Sequence, residues 1–409
     1  MKIAYISYEL PPDIAKGGIG TYTLQAAAAM LMMGNVVHIF SGSLKRNITE
    51  KLGDLVVHRS LCSNPKDFAE KVLSNFTNEH NSSPFDIIEC AEIHANAIFI
   101  KKAFPSLPLV VKLHAPNHLV ESLKKTYSST FSKLRVYIGA WRRGKFNRGW
   151  GYYNKLIDTD YNFTLLASAV IAPSQAVKDW VVNNWDISAE LIRIVGNPFS
   201  PPVELNVSVE SNISNFKTIL FFGRLNVLKG LVNFTKAVKL FLLDNTDWKI
   251  EVIGDDANGP FHHLSMKSWM QTYFGSLNSR IHFFEGLPHS ELYSKIMKSD
   301  IIVLPSLFES FSYACAEAMA AGKAIIGSNK GGMKELLGAG EMCGILIDPY
   351  NSNEILNAIK RLAEDENLRN ELGFAAKSKI YSPLYNIEIA KQMMLIYNEV
   401  IKDVGFAKN

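Results

Sequence analysis

Apolar positions along the chain fall into short runs rich in Ile and Val, separated by longer stretches with helical spacing. That alternation predicts βαβ units and parallel sheets. In the first half the runs place strands at Ile3–Ser7, Val36–Ser41, Asp86–Cys90, Leu109–His114 and Ala169–Pro173. In the second half they place strands at Thr218–Gly223, Lys249–Gly254, Arg280–Glu285, Ile301–Pro305 and Ala324–Ser328. Between the two series lies Ser200–Asn215, rich in Pro, Ser and Asn and without helical period, which reads as a domain linker. A second break at Tyr381–Asn386 precedes an amphipathic stretch, Ile387–Lys402. The expected organisation is therefore a domain over 1–199, a second over 216–380, and a terminal helix within 381–409 packed back towards the first.

A chain of 409 residues is long for one core and comfortable for two α/β domains. The apolar run after Met1 is interrupted by Glu9 and by Pro11–Pro12, so it reads as a buried strand and not as a leader peptide. No stretch approaches the roughly 18 apolar residues of a membrane span. The four cysteines, Cys62, Cys90, Cys315 and Cys343, are scattered and form no metal or disulfide spacing, which fits a reducing, cytoplasmic setting. Net charge is +4, yet Ser122–Ile157 holds nine Lys and Arg and no acidic residue, leaving the remainder net acidic. A local basic segment points to one anionic partner surface and away from general nucleic-acid binding.

Four loops carry candidate chemistry. Lys16–Gly20 (KGGIG) joins a strand to a helix expected to open at Thr21, and is either an ordinary tight turn or a cradle of backbone N–H groups for an anion. It is a poor dinucleotide fingerprint, because the second strand ends in Ser41 where a ribose-binding acid is expected. There is no GxxxxGK[ST] run, which excludes a P-loop NTPase. Gly223–Gly230 (GRLNVLKG) sets Arg224 and Lys229 beside a helix start, as solvated surface cations or as a clamp for a diphosphate. In Pro305–Gly322 a strand ends, Glu309 lies in the turn and Glu317 on the next helix; helical rise over that separation gives about 12 Å. Gly331–Gly332 and Glu335 make another glycine-rich turn before a helix. His114 ends a strand at the sheet edge where open α/β sheets bind ligands. Asp158-Thr159-Asp160 spells a metal-binding DxD, but it follows no strand and leads into a helical pattern, so no metal site is expected there and replacing both acids should leave activity nearly intact.

Together the GGIG loop, His114, the Arg224 and Lys229 pair, the Glu309–Glu317 motif and Gly331–Gly332 resemble the retaining glycosyltransferases of family 4, over nearly the whole chain. The resemblance implies a GT-B fold: α/β, two Rossmann-like parallel-sheet domains facing a central cleft, the first for the acceptor and the second for a nucleotide-sugar donor. It implies a hexosyltransferase moving a sugar from a nucleoside diphosphate to an acceptor hydroxyl with retention, needing no cofactor and no metal. By the same resemblance Arg224 and Lys229 hold the donor diphosphate, Glu309 contacts the donor sugar, Glu317 binds ribose hydroxyls and His114 lies near the sugar. Gly18, Phe311 and Ser312 would complete the donor pocket. Two departures are Ser312 and Gly34–Asn35, where many relatives have Gly and a Gly–His pair; the first leaves the donor open. On the acceptor or membrane side the candidates are Arg142, Arg143, Lys145 and Arg148, serving a glycan, lipid-linked or small-molecule acceptor, in cell-surface polysaccharide synthesis, with an anionic membrane surface as a partner. A nucleotide-sugar epimerase of the same fold and a non-catalytic nucleotide-sugar-binding partner are the rival readings.

Overall fold

The computed structural model describes every residue except 15–16, 128–129, 145–152, 207–216, 261–263, 339, 341 and 407–409, and the backbone alone at 130–132, 383–384 and 404–406. The chain divides into two compact units. The first comprises Met1–Asn117, Asn154–Ser200 and Pro383–Asn409, and the second His118–Tyr153 and Pro201–Ser382.

The first unit is built on a sheet of eight strands. They are β1 (Lys2–Ser7), β2 (Val36–Ser43), β3 (Ile48–Leu52), β4 (Leu55–Leu61), β5 (Ile87–Ala91), β6 (Leu109–Lys112), β7 (Ala169–Ala172) and β8 (Ile192–Ile194), in the order β3-β4-β2-β1-β5-β6-β7-β8. All pairings are parallel except the β3–β4 hairpin. All five strands expected here form. The three additional ones are short or polar: β3 (ITEKL) is half-buried only at Glu50, and β8 has three residues.

The second unit has six parallel strands: β9 (Lys217–Phe222), β10 (Trp248–Ile253), β11 (Ile281–Phe284), β12 (Ile301–Leu304), β13 (Ala324–Ser328) and β14 (Ile345–Ile347), ordered β11-β10-β9-β12-β13-β14. Again all five expected strands form, and β14 is added. Its core packs Ile219 and Phe221 of β9 against Leu231, Phe234, Val238 and Phe241. Those four sit three or four residues apart on one face of the helix Leu231–Asp244, the spacing an amphipathic helix requires.

Two expectations need correction. Residues 118–153 group with the second unit, because Tyr127 packs against that unit's core and its hydroxyl accepts from Asn233 Nδ2 at 3.1 Å. The terminal helix opens at Pro383, inside the break read at Tyr381–Asn386, and runs to Phe406. Asn386 pairs with both backbone groups of Phe199, at 2.8 and 2.7 Å, and Tyr397 reaches the interior of the first unit. Asn35 is structural: it accepts from the Met1 ammonium at 3.1 Å and donates to Met30 O at 3.0 Å.

Candidate active site

In the second sheet β9 is first in sequence and lies between β10 and β12, so the chain reverses direction of travel there. Such a switch point leaves a crevice at the carboxyl ends of the strands. Three glycines close the loops around it. Gly230 is left-handed (φ +71°), and a Cβ there would sit 1.8 Å from Pro305 O. Gly254 meets Gly223 O in the same way at 2.0 Å, and Gly331 (φ +82°) meets Glu309 O at 2.1 Å. Only glycine permits contacts this close in these conformations. Leu307 N donates to Leu228 O at 2.8 Å and Gly332 N to Glu309 O at 2.7 Å, completing the seam.

This backbone arrangement brings Lys229 to Glu309. Lys229 ends a single 3₁₀ turn, Val227–Lys229, capped by Asn226, which accepts from Lys229 N at 3.2 Å. Lys229 Nζ donates to Glu309 Oε1, and Ser306 Oγ donates to the same oxygen at 2.8 Å. The sequence placed Lys229 and Glu309 in separate motifs and left their pairing unread. Glu309 precedes the helix Tyr313–Ala320 by four residues, so only part of the separation to Glu317 is helical, and helical rise does not set their distance.

Ser312 is buried and caps that helix, accepting from Cys315 N at 3.2 Å. Phe311 is buried beside it with its ring edge-on to Tyr313, 5.0 Å between centroids. Glu317 is half-buried on the same helix, and burial pushes its carboxyl up to about 7. Removing a carboxylate from water disfavours its charge, and a group so placed gains from donors brought by a ligand.

Arg224 is exposed and lines a cavity of about 830 Å³ with Asn226 on one side and Lys124, Lys125, Arg135 and Arg143 on the other. Arg143 therefore shares a cavity with a donor-site candidate. Arg142 is exposed, while Lys145 and Arg148 lie outside the described residues.

In the first unit, His114 lies two residues past β6, corrected from its end. Its Nδ1 sits 3.1 Å from Lys112 O; a carbonyl can only accept, so Nδ1 carries the proton. In the neutral ring Nε2 is the acceptor; it is buried and without a hydrogen-bond partner among the described residues. Glu92 holds the backbone, both oxygens accepting from His114 N at 2.9 Å.

Beside His114 the sequence reading missed a buried polar group. Glu89 accepts from Tyr22 at 2.6 Å and from Tyr397 of the terminal helix, and burial raises its pKa. Lys112, donating to Val195 O at 2.6 Å, is lowered to about 7 by burial. A charge inside an otherwise apolar strand, in DIIEC and LVVKLH, was the available signal.

Gly18 opens the helix Gly18–Met32, three residues before the expected start, with no side-chain cap. The neighbouring glycines serve close approach: a Cβ at Gly20 would lie 3.1 Å from Glu9 O. Asp158 caps the helix Thr159–Thr164 by accepting from Asp160 N at 2.9 Å. Asp160 is buried and accepts from Asn117 Nδ2 at 2.8 Å and from the backbone of His94 and Asn117, and burial pushes it to about 7. These acids hold the fold, so the expectation that replacing both leaves activity nearly intact does not extend to stability.

Two parallel-sheet α/β units of this topology define the GT-B fold of glycosyltransferases. Residues 16–201 match the model "Glycosyltransferase Family 4" and 206–379 match "Glycosyl transferases group 1". The chain belongs to this family of glycosyltransferases. It is 23% identical to an uncharacterised glycosyltransferase of Methanocaldococcus jannaschii, over 99% of this chain and all of that one. Among solved structures, sucrose-phosphate synthase from Thermosynechococcus elongatus matches with a TM-score of 0.75 and 19% identity, covering 98% of this chain and 99% of that one. Anabaena HepE in complex with UDP matches with a TM-score of 0.66 and 19% identity, covering 98% and 100%.
No helix among the described residues is long and apolar enough to cross a membrane.

Proposed function

We propose that this glycosyltransferase takes a hexosyl group from a nucleoside diphosphate and transfers it with retention to an acceptor hydroxyl, without a metal. The observation that carries the reading is the Lys229–Glu309 pair fixed at the switch point by Gly230 and Gly331. A diphosphate placed there meets Lys229 and Arg224, and Glu309 is left facing the sugar. The UDP complex of the HepE neighbour supports a nucleotide donor.

In the reaction the bond from C1 to the phosphate oxygen breaks and C1 bonds to the acceptor oxygen on the same face. The acceptor's proton goes to the departing phosphate. Negative charge grows on the diphosphate as it leaves, and fixed cations stabilise it most at that point. Glu317 accepts hydrogen bonds from ribose hydroxyls, and His114 Nε2 accepts from a sugar hydroxyl. No separate protein base is needed. The cations around the 830 Å³ cavity support an anionic or lipid-linked glycan acceptor, as in the synthesis of a surface polysaccharide at the cytoplasmic face.

The test is incubation with a panel of nucleoside-diphosphate sugars and NMR of the transferred or hydrolysed sugar as it forms. Initial product with the donor's anomeric configuration is expected from one donor. Inverted product would overturn the stereochemistry, and no turnover of any donor would overturn the reading.

A further inference from the structure

The helix Thr130–Arg142 has two faces with different surroundings. At 100° per residue, Arg135, Val136, Gly139 and Arg143 cluster on one side, and all four line the cavity that Arg224 enters. On the opposite side Leu134, Tyr137, Ile138 and Trp141 fall within an arc of about 100°. These four are exposed, at 55, 51, 41 and 66%. Lys133 and Arg142, both exposed, lie about 40° beyond either edge of that arc.

An apolar stripe ordinarily faces a core, and here the cavity lies on the other side. A soluble surface seldom gathers four large apolar side chains in one strip, so the stripe has a partner. The flanking charge identifies it. The segment 122–157 is acid-free with nine cations, and Trp150, Tyr152 and Tyr153 follow in sequence. A protein partner of ordinary composition does not require so uniform a charge, whereas anionic headgroups do. Aromatic residues next to cations are also the composition favoured at the headgroup level.

We infer that Thr130–Arg142 is a membrane-docking helix that lies in the plane of an anionic bilayer. Leu134, Tyr137, Ile138 and Trp141 enter the headgroup boundary, and Lys133 and Arg142 meet lipid phosphates on either side. Its other face then holds the Arg224 cavity next to the lipid surface, where a lipid-linked acceptor would be presented. Docking is a property of this helix and stands whether or not the donor assignment holds.

Co-sedimentation of the full chain with phosphatidylcholine vesicles, with and without phosphatidylglycerol, tests it. Binding to the anionic vesicles alone is expected, weakening as salt rises. Lys133→Glu and Arg142→Glu should each weaken it by about fivefold or more. Ile138→Asp with Trp141→Asp should weaken it by at least about tenfold, while nucleoside-diphosphate binding, followed by calorimetry, is retained. Protein left in the supernatant with anionic vesicles at low salt overturns the inference, as does sedimentation indifferent to the stripe variants. Sedimentation velocity covers the remaining occupant: a dimer dissolved by Ile138→Asp with Trp141→Asp would show that the stripe joins two copies, and would also overturn it.

Discussion

Lys229 and Glu309 are adjacent in space and eighty positions apart in sequence, joined as an ion pair. Removing the cation should act on the step in which the diphosphate departs. Lys229→Ala and Arg224→Ala are expected to lower kcat by about 10²–10³ each. Steady-state kinetics on the accepted donor checks this, and unchanged kcat in both would remove them from the reaction. Glu317 should behave differently, because ribose contacts are alike in ground and transition states. Glu317→Gln is expected to raise KM for the donor with little change in kcat.

The carboxyl of Glu317 titrates near 7 in the folded protein, above its usual range, so the folded chain holds this proton more tightly than the unfolded one. Its contribution to stability is complete at acid pH and is lost as pH rises through about 7. The melting temperature of the wild type should therefore fall relative to that of Glu317→Gln between about pH 4 and about pH 8, on either side of the unfolded and folded pKa values. Donor affinity should move the other way, tightening as the carboxylate forms, with a flat profile in the variant. The motif residues were legible because their spacing is regular within one βα unit. Glu89, Lys112 and Asp160 were not singled out as a site, because their meaning depends on what surrounds them: Tyr22 and Tyr397, Val195 O, and the backbone of His94 and Asn117.

At the scale of elements, the strands that could be read were those with an unbroken apolar run, such as β9 and β12, buried on both faces by helices. β3 escaped because its residues are mostly exposed and pair only along one edge. β8 and β14 are three residues each, too short to show a period. The glycine turns were visible as sequence, but the need for glycine comes from the opposing loop. Gly230 and Gly53 are both left-handed, yet only Gly230 faces backbone within reach; nothing lies within 4 Å of a Cβ at Gly53. Gly53→Ala should cost about 1–2 kcal/mol of backbone strain. Gly230→Ala must in addition push Lys229 away from Pro305, and is expected to cost more stability and most of the activity. Denaturant titration with parallel assays compares them; equal losses would mean that the contact with Pro305 O is immaterial.

Across the whole molecule, two parallel-sheet units followed from the alternation of strands and helices, while positions 207–215 of the linker read at Ser200–Asn215 lie outside the described residues. The grouping of 118–153 with the second unit was not legible, since it rests on Tyr127 meeting Asn233 more than a hundred residues later. The DxD sequence illustrates the same limit: its two acids cap a helix and hold buried backbone, work that no motif spelling reveals. Activity should survive EDTA, and Asp160→Ala should lower the melting temperature through the donors left unpaired, at about 1–3 kcal/mol each. Loss of activity on chelation, restored by Mn²⁺ or Mg²⁺, would show that a metal is needed.

At the switch point of the second sheet, Arg224 and Lys229 are proposed to form a diphosphate site. Titration calorimetry with UDP, GDP and ADP tests it on the wild type and on Arg224→Ala combined with Lys229→Ala. One nucleotide should bind the wild type at a single site, and the double variant, still folded, should bind it at least about 100-fold more weakly, as two lost charge-assisted contacts require. Equal affinity in the two proteins, or no binding of any nucleoside diphosphate to the wild type, would contradict it.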